Sequence, residues 1–388
     1  MKSFTSTTSF VNGQHAVRAF PTQRPVRTSR RSLRTRAEAI KVGRCWVVAP
    51  PKRQPPRGIV HFLGGAFVSG APQVLYSLLL ESIAASGFTV LSTPYAVSFK
   101  HLECAATVRQ DFMDSVQELR GNSSQSWMVP AGVPVLGVGH SNGALLHLLN
   151  SSQSGQVYTV ANVLVSYNNK QVSDAIPIPG FLEALGPTAR AAQEQQQPLP
   201  VELPSPSAVL ETASGLLPFS ALGLSQRQVA DAGLLLEQLG SVVKEVGDGN
   251  SDFTPNPEES RRIVKAGYSP TATPTLLVQF TNDSFDQTPE MLDILLSCDG
   301  GAENVQGLTL PGSHITPCGT DLKWQIGAAG FSPQDALIMA VKQQSQVELR
   351  RLTQELVDFL GSCCAAASNP PTQPQGPVAG SPTPSVAQ

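Results

Sequence analysis

The sequence predicts an α/β fold, a mostly parallel sheet with helices on both faces and an inserted cap or lid region. Three observations carry this. Short apolar, β-branched runs alternate with stretches whose apolar residues recur at helical spacing, which is the rhythm of βα units. One junction of that rhythm, VPVLGVGHSNGALLHLL over residues 133–149, turns from strand into helix within about three residues, with Ser141 at the turn between Gly139 and Gly143. Between about residues 171 and 270 the rhythm breaks into a stretch rich in Pro, Gln, Ala and Leu, which fits an insertion rather than more sheet.

The first 36 residues hold Lys2 and seven arginines, many Ser and Thr, and no acidic residue before Glu38. Without the apolar core of a secretory signal, this composition reads as a plastid transit peptide over residues 1–38; the competing reading is a basic arm that stays attached and binds an anionic partner. Removing these eight from the 27 basic residues leaves 19 against 29 acidic ones, a net charge near −10 that argues against a nucleic-acid partner. No apolar run reaches the roughly 18 to 20 residues of a membrane span. With 41% hydrophobic residues in 388, the chain can bury one large core, and Gly and Pro at 32 each point to loops and tails around it.

The core is expected in two parts, 39–170 and 271–361, around the 171–270 insertion. KVGRCWVVAP (41–50) reads as a first strand stopped by prolines, and Ile59 to Leu63 as a second that runs into Gly64-Gly65. Pro72 opens a helix through about Ser86 that Gly87 ends. FTVLSTPY is the next strand, Leu102 to Leu119 a helix, VPVLGVG a strand and Asn142 to Leu149 the helix after the turn. TVANVLVSYNN (159–169) precedes the insertion, in which QEQQQPLPVELPSPS reads as a loop and LSQRQVADAGLLLEQLGSVVKEV as helical. The sheet resumes with TPTLLVQFTND (273–283), a helix opened by Thr288-Pro289-Glu290, the strand NVQGLTLPGSH (304–314) and a closing helix from about Pro333 to Leu360. A disordered Pro-rich tail is expected over 362–388. Six cysteines without CxxC spacing suggest neither a zinc site nor a disulfide scaffold.

A serine hydroxyl is a poor nucleophile near neutral pH and needs a histidine to take its proton and a carboxylate to orient that histidine. Asp283 ends one expected strand and His314 follows the next, so Ser141, Asp283 and His314 reproduce the serine, acid, histidine order of α/β-hydrolases. Asp286, in the same DSFD segment, competes for the acid role, and one of the two aspartates caps the following helix. Acyl transfer also needs donors for a developing oxyanion. The amide of Asn142, next after the serine, is one candidate, and the HFLGGAF loop offers Gly65 and Ala66 for the other. Neither glycine segment has GxGxxG spacing, so a dinucleotide enzyme is disfavoured, and the expected chemistry uses no cofactor and no metal.

The segments GVGHSNGALLHLL, IVHFLGGAFVSGAP, VSYNN, DFTPNPEES, VQFTNDSFDQTP and LPGSHITPCGTDLKW span roughly Val42 to Leu360. Together they resemble the α/β-hydrolase-like family of plants, algae and cyanobacteria called domain of unknown function 1350. The resemblance implies an α/β-hydrolase fold and, in photosynthetic eukaryotes, a plastid location; it supplies no substrate. DSFD departs from the commoner acid loop, a single aspartate followed by apolar residues, and leaves Asp283 and Asp286 both open.

The expected function is a plastid serine hydrolase cleaving an ester, thioester or related acyl bond of a small molecule, with the Leu-rich insertion suggesting a lipid-like group. The alternative is a non-catalytic binding or assembly protein on the same fold.

Overall fold

An eight-stranded sheet organises the chain, in the order β1-β2-β4-β3-β5-β6-β7-β8. The computed structural model describes residues 38–66, 68–153, 158–170, 252–319 and 333–368. The expected transit segment up to residue 37, the insertion over 171–251 with its loop and helix, and the tail from 369 lie outside the described residues.

The strands are β1 (Ile40–Val42), β2 (Cys45–Val48), β3 (Ile59–Leu63), β4 (Thr89–Ser92), β5 (Val135–His140), β6 (Asn162–Val165), β7 (Thr275–Asn282) and β8 (Val305–Ser313). The helices are α1 (Pro72–Leu75), α2 (Ser77–Ala85), α3 (His101–Gly121), α4 (Asn142–Gln153), α5 (Pro257–Gly267), α6 (Thr288–Leu296), α7 (Gly301–Asn304) and α8 (Pro333–Ser368). β2 runs antiparallel to both neighbours, and every pairing from β4 through β3 to β8 is parallel. This is an α/β-hydrolase fold.

The single strand expected over 41–50 is a hairpin instead. Gly43, at φ +53°, turns the chain so that Val42 faces Cys45 and Lys41 faces Trp46.

Alternate side chains of the central strands feed two apolar layers. On one face Val60, Phe62, Val138, Val163 and Val278 pack with Leu79, Leu80 and Ile83 of α2 and with Leu352, Leu356 and Leu360 of α8. On the other, Leu63, Leu164 and Leu277 pack with Leu145 and Leu149 of α4, Val264 of α5 and Met291 of α6. Toward the β1 edge, Val47, Ile59 and Leu91 meet Phe112, Val116 and Leu119 of α3.

Three differences from the sequence reading each have a specific cause. The helix expected over 72–86 is two helices broken at Tyr76, because the Leu78 amide donates to the Gly319 carbonyl (3.1 Å) instead of continuing the ladder. Residues 257–267, assigned from sequence to the insertion, form α5 against α4. Asn256 and Glu259 close a reciprocal capping box with Pro257 in the first turn, and α5 approaches so closely that a Cβ on Gly267 would lie 2.1 Å from the Ser152 carbonyl. The last helix continues past Leu360 to Ser368, because Gly361 and Cys364 are also buried, Cys364 among the residues of the first apolar layer.

Candidate active site

Neighbouring parallel strands point their C-terminal ends the same way, so the loops after β3, β5, β6, β7 and β8 meet along one edge of the sheet. β5 delivers Ser141, β7 leads to Asp283 and β8 to His314.

The turn from β5 to α4 is as tight as the two glycines suggest. A Cβ on Gly139 would sit 2.5 Å from the Gly143 carbonyl, and one on Gly143 would sit 2.2 Å from the Leu63 carbonyl. Ser141 itself takes φ +55°, a left-handed conformation that costs a residue with a side chain on the order of 1 kcal/mol or more and is fixed by the surrounding packing. Its amide donates to the Val165 carbonyl (2.9 Å), and its side chain is left at the head of α4.

Ser141 Oγ lies 3.0 Å from His314 Nε2, and His314 Nδ1 lies 2.8 Å from Asp283 Oδ2. The Asp283 side chain is fully buried, whereas that of His314 keeps 22% of its exposure, enough for a reacting group to approach. Burial pushes the Asp283 carboxyl up. The hydrogen bond and charge of His314, with the Ser166 hydroxyl and the Phe285 amide (3.0 Å to Oδ1), outweigh it and hold the carboxyl below its ordinary value. A carboxylate ionised in this way orients Nδ1–H of the imidazole and leaves Nε2 facing the serine.

Asp286 is placed differently. Its Oδ1 accepts the Thr288 amide (2.9 Å) at the start of α6, and burial, the leading cause, raises its pKa. It caps the helix, while Asp283 holds the histidine.

Of the three amides considered from sequence as oxyanion donors, that of Gly65 is already used, donating to Tyr76 Oη at 2.8 Å. One N–H serves one strong acceptor, so the Gly65 amide, one of the two donors the sequence offers in this loop, is taken up by Tyr76 in this structure. Among the described residues, neither Ala66 nor Asn142 has its amide in a backbone hydrogen bond outside the helices and strands. Tyr95 Oη donates to the Gly64 carbonyl (2.6 Å) and Ser69 Oγ to the Tyr95 carbonyl (2.8 Å), which pins this loop to the segment after β4.

The acid loop is clasped by the VSYNN segment after β6. Asn168 donates to the Phe285 carbonyl (2.9 Å), the Asn169 amide to Gln287 Oε1 (2.8 Å), and the Tyr167 amide to Thr288 Oγ1 (3.1 Å). Sequence reasoning missed Tyr76, Tyr95 and Ser166 as neighbours of the site. For Tyr76 a faint signal exists, a bulky phenol where the α1–α2 helical pattern breaks; Ser166, held at φ +48°, leaves no such trace. Among the described residues no His, Cys, Asp or Glu cluster could hold a metal ion, no disulfide forms, and no helix is long and apolar enough to cross a membrane.

The family model described as "Protein of unknown function (DUF1350)" matches residues 38–362. The chain belongs to this family. Among curated proteins none matches this chain. Its structure is similar to a thioesterase domain from the curacin biosynthetic pathway, at 14% identity and a TM-score of 0.43, covering 78% of this chain and 98% of that one. It is also similar to the peroxisomal α/β-hydrolase Lpx1 from Saccharomyces cerevisiae, at 12% identity and a TM-score of 0.46, covering 86% and 84%. A third is a highly thermostable carboxyl esterase from Bacillus coagulans in complex with glycerol, at 12% identity and a TM-score of 0.42, covering 84% and 98%.

Proposed function

We propose that this protein is a serine hydrolase that cleaves an ester, thioester or related acyl bond of a small, lipid-like molecule in the plastid. The observation that carries the reading is the unbroken line from Asp283 through His314 to Ser141, at 2.8 and 3.0 Å. Ser141 Oγ attacks the acyl carbon as His314 Nε2 takes its proton; the imidazolium, held by Asp283, then returns that proton to the leaving group. Water repeats the sequence on the acyl-serine and regenerates the enzyme. The amides of Asn142 and Ala66 bind the oxyanion of each tetrahedral intermediate, a donor of this kind being worth about 10² to 10³ in rate.

The acyl class is supported by this chemistry and the lipid-like character by the Leu-rich insertion. The plastid assignment is supported by the Arg-, Ser- and Thr-rich first 36 residues.

The test is labelling of the purified protein by a fluorophosphonate, beside Ser141→Ala and His314→Ala. Labelling that disappears in both variants is the expected result. Labelling independent of either residue, or none in the wild type, overturns the enzyme reading and leaves the binding module. Sequencing the N-terminus of the endogenous protein tests the location, since an intact Met1 contradicts a cleaved transit peptide.

A further inference from the structure

One hydrogen-bonded line beside the site takes no part in that chemistry. The Gly65 amide donates to Tyr76 Oη (2.8 Å), Tyr76 Oη meets His140 Nδ1 (2.8 Å), and His140 Nε2 meets the carbonyl oxygen of His314 (2.8 Å). Tyr76 is fully buried and His140 only 3% exposed, so water does not substitute for these partners.

The proton positions follow by elimination. A carbonyl oxygen only accepts, so His140 Nε2 carries a hydrogen. Burial lowers the His140 pKa to about 3, assisted by the neighbouring His314, so the ring is neutral and Nδ1 is bare. Burial pushes the Tyr76 phenol well above its ordinary range, so it keeps its proton and donates to Nδ1 while its oxygen accepts from Gly65. Each donor has one acceptor, and no other arrangement satisfies all three bonds.

The line joins loops that the sheet does not join directly. Gly65 follows β3 and His314 follows β8, with β5, β6 and β7 between them. His140 is covalently next to Ser141, so the nucleophile's own neighbour is the pivot. Gly65 is close enough that a Cβ there would lie 3.2 Å from both His140 Nδ1 and Ser141 Cβ.

We infer that Tyr76 and His140 are positioning residues that lock the oxyanion loop and the histidine loop to one geometry about Ser141, His140 acting through the backbone carbonyl of His314. His140 is not a second base, because both its ring nitrogens are engaged. This rests on the hydrolase reading above.

The experiment compares second-order fluorophosphonate labelling of the full chain, wild type against Tyr76→Phe, His140→Leu and His140→Gln, each checked for folding by circular dichroism. Tyr76→Phe and His140→Leu are expected to slow labelling about 10- to 100-fold, the usual consequence of misplacing reacting groups by a fraction of an ångström to about one. His140→Gln places an amide N–H near the former Nε2 position, donates to the same carbonyl, and recovers to within about fivefold of wild type. Nitrogen-detected NMR of wild type and Ser141→Ala reads the ring directly, with His140 as the neutral Nε2–H tautomer from about pH 8 to about pH 5.

Wild-type rates in folded Tyr76→Phe, a Gln variant as slow as the Leu variant, or an Nδ1–H tautomer each overturn the inference. If His140→Leu does not fold, Tyr76→Phe and the tautomer decide. If the wild type does not label, the hydrolase reading fails, while the tautomer still decides whether the line is built as inferred.

Discussion

Replacing Asp283 by Asn separates the two aspartates of the DSFD segment, because the exchange keeps shape and removes only charge and acceptor character. Asp283 Oδ2 accepts the Nδ1–H of His314 at 2.8 Å, and Oδ1 accepts the Phe285 amide at 3.0 Å. In Asp283→Asn the side-chain carbonyl keeps the Phe285 amide, which turns the NH2 toward His314. An NH2 group donates, so it selects the tautomer with a bare Nδ1 and a hydrogen on Nε2, the nitrogen that must accept from Ser141 3.0 Å away. The expected loss in fluorophosphonate labelling is about 10³- to 10⁴-fold, or about 4 to 5.5 kcal/mol of barrier, the scale for a triad left in the wrong tautomer. Asp286→Asn should change the rate less than about threefold, since Asn caps the Thr288 amide about as well as Asp does. The assay is the second-order labelling rate at fixed pH with matched thermal melts. Equal damage from the two variants, or greater damage from Asp286→Asn, refutes the assignment of Asp283 as the orienting acid.

Acid should unfold the protein early. His61, His101, His140 and His147 are buried, and burial lowers each pKa, to about 4 for His101, about 3 for His140, about 4 for His147, and well down for His61. Their unfolded values lie near 6.5, so their contribution is complete above that pH and is lost as pH falls from there toward about 3 to 4; at pH 5.5 each of His101, His140 and His147 costs about 1.4 kcal/mol, roughly 4 kcal/mol for the three, and His61 acts in the same direction. The urea midpoint should therefore drop sharply between pH 7.5 and pH 5.5, and a midpoint unchanged across that interval contradicts neutral burial. Gly143→Ala should lower stability by about 1 to 3 kcal/mol and slow labelling, because its Cβ meets the Leu63 and Gly64 carbonyls at 2.2 and 2.6 Å; a wild-type melt and rate would show that the turn yields freely. Ending the chain at Gly361 removes the buried Cys364, 5% exposed, and should cost about 1 to 2 kcal/mol in a thermal or urea melt; an unchanged melt would show that the last turns of α8 add nothing to stability.

The parts of the structure legible in the sequence are those governed by local chemistry. The runs at Ile59–Leu63, Thr275–Asn282 and Val305–Ser313 are strands, and Pro72 and Gly87 stand at helix ends, because apolar patterning, proline and glycine act over a few residues. Ser141, Asp283 and His314 were legible as an ordered set because parallel topology carries the ends of successive strands to one edge. What was hidden depends on distant partners. The break at Tyr76 is made by Gly319, more than two hundred residues on, and the loss of Gly65 as a free donor is made by the Tyr76 hydroxyl. The first turn of α5 is legible in principle, since Asn256-Pro257-Glu258-Glu259 is a capping box.

Position also decides which histidine can serve as the base, and the contrast between His140 and His314 shows how. His140 is adjacent to the serine in the chain, yet it is the last residue of β5 and its ring lies against Tyr76, where both nitrogens find fixed partners and burial keeps it neutral. His314 is distant in sequence and stands in the loop after β8 with one nitrogen on a buried carboxylate and the other on the hydroxyl, partly open to solvent. A base must gain and release a proton within one cycle, so it needs a partner stabilising its charged form and a path to the reacting atom. On the proposed hydrolase reading the surroundings of His314 suit that role while those of His140 do not. The two are joined through the His314 carbonyl oxygen, which lies 2.8 Å from His140 Nε2.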